Sequence, residues 1–312
     1  MSWLAVALTA YLILAVVNLL DKFLVDNVMK SSRAYAFAAC VLGAGIALVS
    51  PWFLTWPGWL PFFHNLINGF IFAAALWSLF SALRRGEVSR ILVLVGGLTP
   101  VFTLILSLLF LEESFSRGEI MGMLLILVGV FLIIFLPFSK DLKSKVGSVP
   151  NLKLAAFFQG MAIAALSALF YSVYFISTKE AYLGQPFFSA FIWTRLGAAL
   201  AVMLFLLRSA DRLAIKEAFL SSDRGGKKFL VVFNQSMGAA GFILQNYAVY
   251  LGSVVIVNAL QGVQYAFLLV ISGAVSLLAP QLLKEDFSRR AVFQKSLAVA
   301  AIMAGLYFIA SL

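Results

Sequence analysis

The sequence contains little that ordinary enzyme chemistry needs. Among 312 residues there is one cysteine, Cys40, one histidine, His64, and only 13 acidic side chains. A single cysteine excludes disulfide bonds within the chain and metal sites built from several thiolates. The sequence also has no Walker A, H-E-x-x-H or D-x-x-x-D motif, so it offers no site for ATP, catalytic zinc or paired carboxylates. We therefore predict no metal, no cofactor and no enzymatic activity.

Charged residues are also scarce, and apolar residues are abundant. Only 12% of the residues are charged and 63% are hydrophobic, with a mean hydropathy of +1.02. A soluble domain is nearer half apolar and a quarter charged, so this composition indicates a protein whose solvent is lipid. A membrane-spanning helix needs about 20 apolar residues, and ten such stretches are present. They are 3–22, 34–54, 60–83, 91–111, 119–138, 154–177, 186–207, 229–250, 254–279 and 293–311.

The basic residues are distributed unevenly between the linkers. The net charge of +10 would indicate nucleic-acid binding in a soluble protein. Here 20 of the 23 Lys and Arg residues fall at the ends of spans 1, 3, 5, 7 and 9 or in the linkers after them. The exceptions are Arg117, Lys179 and Arg195. The positive-inside rule places those linkers in the cytoplasm and both termini outside. We therefore predict an integral protein of a prokaryotic plasma membrane, with anionic lipids and no nucleic acid near the basic linkers.

The two halves of the chain resemble each other weakly and in the same order. A shift of 166 positions places Asn68 on Asn234. We therefore divide the chain into a first repeat, 1–148, and a second repeat, 149–312, with five spans each. An odd number of spans makes the second copy enter the membrane upside down, as in many secondary transporters with a site near the midplane. The predicted fold is an all-α polytopic membrane protein, with ten helices in two inverted five-helix repeats around a central cavity.

A longer pattern can be compared with known families. It comprises the stretch GGLTPVFTLILSLLFLEESFSR (96–117) and the lysines that end the first span of each repeat, Lys22 and Lys179, which are related by a shift of 157. With the order of ten helices, these features resemble the EamA-like branch of the drug/metabolite transporter superfamily. The resemblance implies that spans 1–4 and 6–9 surround the cavity, and that a small organic solute is moved, often outward. That family is usually drawn with both termini in the cytoplasm, the reverse of what the linker charges predict here.

Polar side chains recur along single faces of several predicted spans. In span 9, Asn258, Gln261 and Tyr265 fall on one stripe of a 3.6-residue helix. Such stripes predict a polar cavity, because polar residues inside a span normally face protein or water. The alternative is that each residue bonds one helix to another, contributing roughly 0.6 kcal/mol. The further cavity candidates are Asn18, Thr99, Tyr171, Tyr174, Gln235 and Asn246.

Arg195 is the one basic residue predicted deep inside a span. It lies ten residues into span 7, roughly 14 Å along the axis, where an unpaired guanidinium costs at least about 2.5–3.5 kcal/mol. Two interpretations stay open from the sequence. Arg195 binds a substrate carboxylate or phosphate in the cavity, or it is structural and bonds backbone carbonyls or tyrosine hydroxyls. It also resembles an arginine frequent in the second helix of each family half, where the first half here has apolar Val41.

Charged pairs close the first span of each repeat. Asp21 and Lys22 do so in the first repeat, and Lys179 and Glu180 do so in the second. Charges at such positions are common as solvated helix ends, and the alternative is that these four residues take part in gating.

Small residues line spans 5 and 10. Gly122 and Gly129 in span 5, with Gly118, and Gly305 in span 10, with Ala301, form small faces that permit close helix approach. We expect them to pack against helices of the same chain in a monomer; a homodimer contact is the alternative.

These observations together predict a secondary transporter that does not use ATP. We expect it to export or exchange small polar organic metabolites such as amino acids, by alternating access between the two inverted repeats. Two alternatives stay open from the sequence: an intramembrane lipid-modifying enzyme, and a membrane scaffold without transport activity.

Overall fold

The computed structural model of the chain describes residues 2–27, 31–85, 88–111, 115–135, 151–220, 225–278 and 289–310. Every regular element within these ranges is helical, in thirteen α-helices and two 3-10 segments. The predicted boundary between the repeats, after residue 148, lies outside the described residues.

The first half of the chain contains six helices. They are α1 (Ser2–Asn27), α2 (Ser32–Gly43), α3 (Ser50–Phe53), α4 (Trp59–Leu83), α5 (Val88–Phe110) and α6 (Arg117–Phe135). A 3-10 segment, Ala44–Val49, joins α2 to α3, so the second predicted span is not one regular helix. The change of helix type follows Gly43 and precedes Pro51; glycine is a weak helix former and proline lacks the amide that would continue the ladder.

The second half contains seven helices. They are α7 (Asn151–Gly184), α8 (Phe187–Met203), α9 (Ser209–Leu220), α10 (Gly225–Leu251), α11 (Val254–Ala259), α12 (Gln261–Leu278) and α13 (Arg289–Ala310). Helix α9 has 12 residues and lies in the linker between predicted spans 7 and 8.

The ninth predicted span is broken, which corrects the expectation of one continuous helix over 254–279. Helix α11 ends at Ala259, and the amide of Leu260 donates to the carbonyl of Ile256. Helix α12 begins at Gln261, and the amide of Val263 donates to Leu260. Asn258 and Gln261 therefore flank a break at Leu260, where the backbone keeps a right-handed helical conformation. That the two residues share one polar stripe stays a prediction.

Helices long and apolar enough to cross a membrane are the dominant feature of the fold. Six candidate spans meet that description in the part of the chain that the structure describes. They are Trp3–Asp21, Ser32–Phe53, Trp59–Leu83, Phe158–Gly184, Phe187–Leu207 and Val254–Val275. Two shorter apolar helical stretches are Leu94–Phe110 and Ser296–Ile309. The described part of the chain is thus all-helical and has spans typical of an integral membrane protein, and the count of ten spans stays a prediction.

The helices pack in pairs that join the two halves of the chain. Helix α1 packs against α10 and α12, whereas α4 packs against α7 and α8. Helix α5 packs against α7, and α6 packs along α13. Each of these contacts runs from the first half to the second, so the most extensive helix contacts of the core lie between the halves.

Two of these crossings depend on glycine. A Cβ added at Gly122 of α6 would be 2.8 Å from the carbonyl oxygen of Gly305 in α13, and one added at Gly305 would be 2.5 Å from that of Gly122. In the same way Gly69 of α4 contacts the backbone of α8 at Thr194, while Gly197 of α8 contacts the backbone of Leu66. The close packing of Gly122, Gly129 and Gly305 within one chain agrees with the sequence-based expectation, and the Gly69–Gly197 crossing was not predicted.

Candidate functional site

Arg195 lies in a cage of aromatic rings at the centre of the helix bundle. Its guanidinium carbon is 4.0 Å from the ring centre of Phe72, 4.4 Å from that of Phe242 and 4.7 Å from that of Phe191. These rings come from α4, α10 and α8, so both halves contribute to the cage. Gly43 of α2 lies beside the arginine stem, where the absent side chain leaves room for it.

The guanidinium is buried and incompletely bonded. Arg195 is 5% exposed, and its Nη2 atom has no hydrogen-bond partner. Across the described ranges the ion pairs are Arg33–Asp211 and His64–Glu180, so no described carboxylate neutralises Arg195. Each ring contact contributes about 0.5–2 kcal/mol, which helps to offset burial of the charge. Ring faces do not replace a strong hydrogen-bond acceptor, so the site retains an unmet capacity to bind an anion.

Phenol and amide groups form a network beside this cage. The hydroxyl of Tyr174 donates to Oδ1 of Asn246 at 2.9 Å, and the hydroxyl of Tyr182 donates to the same atom at 3.3 Å. The Asn246 amide donates in turn to the carbonyl of Phe242, whose ring covers Arg195. Tyr171 stacks on Phe175 with ring centres 6.3 Å apart. Phe72 contacts the rings of Tyr171 and Tyr174 as well as Arg195, so the structure brings these residues together. That they line a cavity with Asn246 stays a prediction.

The broken span contributes a second buried amide. Asn258 in α11 is fully buried, and its Nδ2 donates to the hydroxyl of Thr103 at 3.4 Å. Its Oδ1 has no partner. Gln261, the first residue of α12, is half-buried on the other side of the break. Broken helices with free polar groups at the break are typical of transporter binding sites.

The hydroxyls of two predicted cavity residues bond backbone carbonyls in this structure. The hydroxyl of Thr99 donates to the carbonyl of Val95, one turn earlier in the same helix. The hydroxyl of Tyr265 donates to the carbonyl of Leu92 at 2.7 Å, and its ring occupies the space that Gly96 leaves open. For Tyr265 the structure favours the interhelical interpretation, whereas the hydroxyl of Thr99 bonds within its own helix.

Asp21 lies in a hydrogen-bonded cluster and not at a simple solvated helix end. The side-chain amide of Asn234 donates to its Oδ1 at 2.6 Å, and the hydroxyl of Tyr35 donates to the same oxygen. Gln235 is half-buried beside Tyr35. The cluster joins α1 and α2 of the first half to α10 of the second half. We did not single out Tyr35 or Asn234 as site residues from the sequence, although the repeat had already aligned Asn234 with Asn68.

A related cluster joins the halves at Asn68. The side-chain amide of Asn68 in α4 donates to the hydroxyl of Thr178 in α7 at 2.6 Å. Nearby, Asn65 donates to Gln185 at 2.8 Å. Asn68 and Asn234 each retain an unpartnered Oδ1 atom. The sequence signal for this cluster was the internal repeat itself, because the shift of 166 relates Asn68 to Asn234.

The other charged gating candidates occupy different settings. Lys179 donates through Nζ to the carbonyls of Val249 and Gly252, at 3.0 and 2.7 Å, and thus binds the carboxyl end of α10. Glu180 is exposed, with an oxygen 3.9 Å from Nε2 of His64. The side chain of Lys22 lies outside the described residues, and Asn18 is half-buried on α1.

Fold and site together define a polytopic helical membrane protein with polar residues buried between its two halves. Its residues 1–135 match the EamA-like transporter family, which confirms the resemblance predicted from the sequence. The match supports a membrane transporter as the class of protein. A solved crystal structure is similar over 97% of this chain and 96% of its own, with a TM-score of 0.65 and 16% sequence identity, and so shares the fold. No curated protein matches the chain.

Proposed function

We propose that the protein is a secondary transporter that exports or exchanges a small polar metabolite with an anionic group, such as an amino acid. The observation that carries this proposal is the buried guanidinium of Arg195, whose Nη2 has no partner and which has no described carboxylate beside it. A substrate carboxylate would supply the missing acceptor and the missing negative charge, and guanidinium–carboxylate pairs are strong and directional.

The neighbouring groups suit the rest of such a solute. The Tyr174–Asn246 pair and the free Oδ1 of Asn258 offer hydroxyl and amide groups inside the bundle. Aromatic rings from three helices surround the arginine and exclude water. Water exclusion strengthens the electrostatic attraction between a guanidinium and a bound anion.

Alternating access is the mechanism that the helix packing supports best. Helix α4 packs on α7 as α10 packs on α1, and α5 packs on α7 as α12 packs on α1. Interchanging the two predicted repeats therefore turns the α4–α7 pair into the α10–α1 pair, and the α5–α7 pair into the α12–α1 pair. Since Arg195 is nearly inaccessible in this arrangement, substrate entry requires the halves to separate at one end while the other end stays closed.

The two asparagine contacts are candidates for the end closures. In the predicted ten-span topology, Asn234–Asp21 lies towards the basic, cytoplasmic end and Asn68–Thr178 towards the opposite end. Each contact is a single hydrogen bond between the halves, and a bond of this kind in a membrane contributes roughly 0.6–2 kcal/mol. Such contacts are weak enough to open and close in a transport cycle.

Flux measurements in proteoliposomes test the proposal. Paired solutes that differ only in a carboxylate, such as amino acids and their primary amines, would be presented to the purified, reconstituted chain. We expect saturable flux of at least one carboxylate solute, a loss of at least tenfold in Arg195→Ala, and wild-type flux in Arg212→Ala, which removes an exposed arginine of α9.

Three outcomes would contradict parts of the proposal. Absence of saturable flux across a broad panel would overturn the transporter assignment in favour of an enzyme or a scaffold. Flux that Arg195→Ala leaves unchanged would move the site elsewhere. Flux that requires no solute on the opposite side would contradict exchange, and comparison of vesicles loaded inside and outside would give the direction.

A further inference from the structure

A pocket of about 510 Å³ lies at the end of the bundle that carries the basic linkers. It is separate from the Arg195 cage. Its walls come from the start of α2, the end of α4 and the start of α9, which are the linkers after predicted spans 1, 3 and 7. The lining residues are Ser31, Ser32, Arg33, Trp77, Ser81, Arg84, Arg85 and Asp211.

The pocket has an excess of positive charge that its own residues do not neutralise. Three arginines line it, against the single carboxylate of Asp211. That carboxylate is engaged by Arg33, whose Nη1 donates to both Asp211 oxygens at 2.9 and 2.8 Å. Arg85 donates through Nη1 to the carbonyl of Ser81, an uncharged acceptor. Among the described lining residues, Arg84 and Arg85 therefore remain without a carboxylate partner, and both are exposed.

Neutral hydrogen-bonding groups face the same space. The hydroxyls of Ser32 and Ser81 are 3.3 Å apart and line the pocket with Ser31, which caps the start of α2. The amino-terminal end of a helix carries a partial positive charge. Arginines, hydroxyls and a helix start are the groups that bind phosphate oxygens in proteins, whereas a carboxylate offers fewer oxygens for so many donors.

Aromatic rings lie at one side of the pocket. The guanidinium of Arg33 lies 5.0 Å from the ring centre of Trp77, which contacts the ring of Phe205 at 5.6 Å. In the sequence on either side of the lining residue Asp211, Leu207 is 81% exposed and Leu213 is 61% exposed. Basic groups beside exposed apolar side chains are typical of the level at which lipid headgroups meet acyl chains.

We propose that this pocket binds a phosphate group, presented either by an anionic phospholipid headgroup or by a free phosphate compound. Arg84 and Arg85 hold the phosphate oxygens, the serine hydroxyls bind the same group, and Arg33 is kept in place by Asp211 and Trp77. The site does not depend on the identity of the transported solute, because none of its residues contributes to the Arg195 cage.

Binding measurements on the full-length chain test the proposal. Native mass spectrometry tests whether a lipid headgroup supplies the phosphate. It compares binding of phosphatidylglycerol with binding of a galactosyl diacylglycerol, which lacks phosphate. Thermal unfolding in non-ionic detergent, with and without inorganic phosphate, tests whether free phosphate binds and stabilises the protein. We expect saturable binding of phosphatidylglycerol over the galactolipid, or stabilisation by phosphate, with affinity reduced at least tenfold in Arg84→Gln/Arg85→Gln.

Two further variants keep the test decisive. Arg84→Lys/Arg85→Lys preserves the charge and should retain binding within about threefold, since lysine binds phosphate as a point charge. Arg212→Gln removes an exposed charge of α9 outside the pocket lining and should bind as the wild type does. The proposal is overturned if neither phosphate source binds, or if the double glutamine variant binds as tightly as the Arg212→Gln control.

Discussion

The side-chain amide of Asn234 donates a hydrogen bond of 2.6 Å to the carboxylate of Asp21. These residues are 213 positions apart, and the bond joins the second half of the chain to the first. Asn68 makes the corresponding bond to Thr178, also at 2.6 Å. The shift of 166 relates the two asparagines, and the shift of 157 that aligns Lys22 with Lys179 also places Asp21 on Thr178. The same contact is therefore made twice, once in each direction between the halves.

The Asn234–Asp21 contact should be energetically coupled. In a double-mutant cycle of Asn234→Ala and Asp21→Ala, we expect a coupling energy of about 0.5–3 kcal/mol, because the two side chains share a hydrogen bond. Thermal unfolding in detergent measures it. The matched control is a cycle of Asn234→Ala with Thr9→Ala, since Thr9 is exposed and bonds the carbonyl of Ala5. Additivity in the Asp21 cycle would contradict the assigned contact.

The aromatic cage should stabilise the charge of Arg195. Phe242→Leu removes a ring 4.4 Å from the guanidinium, and we expect a loss of about 0.5–2 kcal/mol beyond the packing cost. The excess should disappear when Arg195→Met is present, because no cation then remains over the ring. Unfolding of the two single variants and the double variant separates these terms. An equal cost in both backgrounds would show that the ring serves only packing.

The Gly122–Gly305 crossing should not tolerate a side chain. In Gly305→Ala the new Cβ would be 2.5 Å from the carbonyl oxygen of Gly122, so the backbones of α6 and α13 must move apart. We expect destabilisation of about 1–3 kcal/mol, seen as earlier thermal unfolding. Gly273→Ala is the control, since nothing lies within 4 Å of its added Cβ. Similar stability of the two variants would argue against this crossing.

Lys179 should stabilise the carboxyl end of α10. Its ammonium donates to the carbonyls of Val249 and Gly252, and hydrogen bonds to charged groups contribute about 1.5–3 kcal/mol. Lys179→Met should therefore lower the unfolding temperature clearly, while Glu180→Gln, an exposed neighbour, should not. A gating role predicts in addition that Lys179→Met changes flux more than its loss of stability explains.

The orientation of the chain has a direct test. The linker charges predict that both termini lie outside the cytoplasm. A reporter fused after Leu312 that is active only outside the cytoplasm should therefore give a signal, and a reporter active only inside should not. The opposite result would establish the orientation usual for the EamA-like family and would place the phosphate pocket on the outer side.

The sequence was sufficient for the helical membrane architecture and for the burial of Arg195. Both follow from local composition, because the length of an apolar run and the depth of a charge within it can be counted directly. The break at Leu260 could not be predicted in this way, since no proline interrupts the apolar run around it. The hydrogen-bond partners of Asp21 and Tyr265 could not be predicted either, because they depend on how distant helices pack in three dimensions. Periodicity reports which face of a helix is polar, and not which helix that face meets.

The crossing of Gly69 and Gly197 has a mechanical consequence. It brings the backbones of α4 and α8 into direct contact, with no side chain between them to deform. In the proposed cycle this contact is a pivot point. The ends of the two helices can move in opposite directions while the contact itself stays fixed. Arg195 lies two residues before Gly197 and is thus close to this pivot point. A solute bound there would move less during the cycle than the ends of the helices.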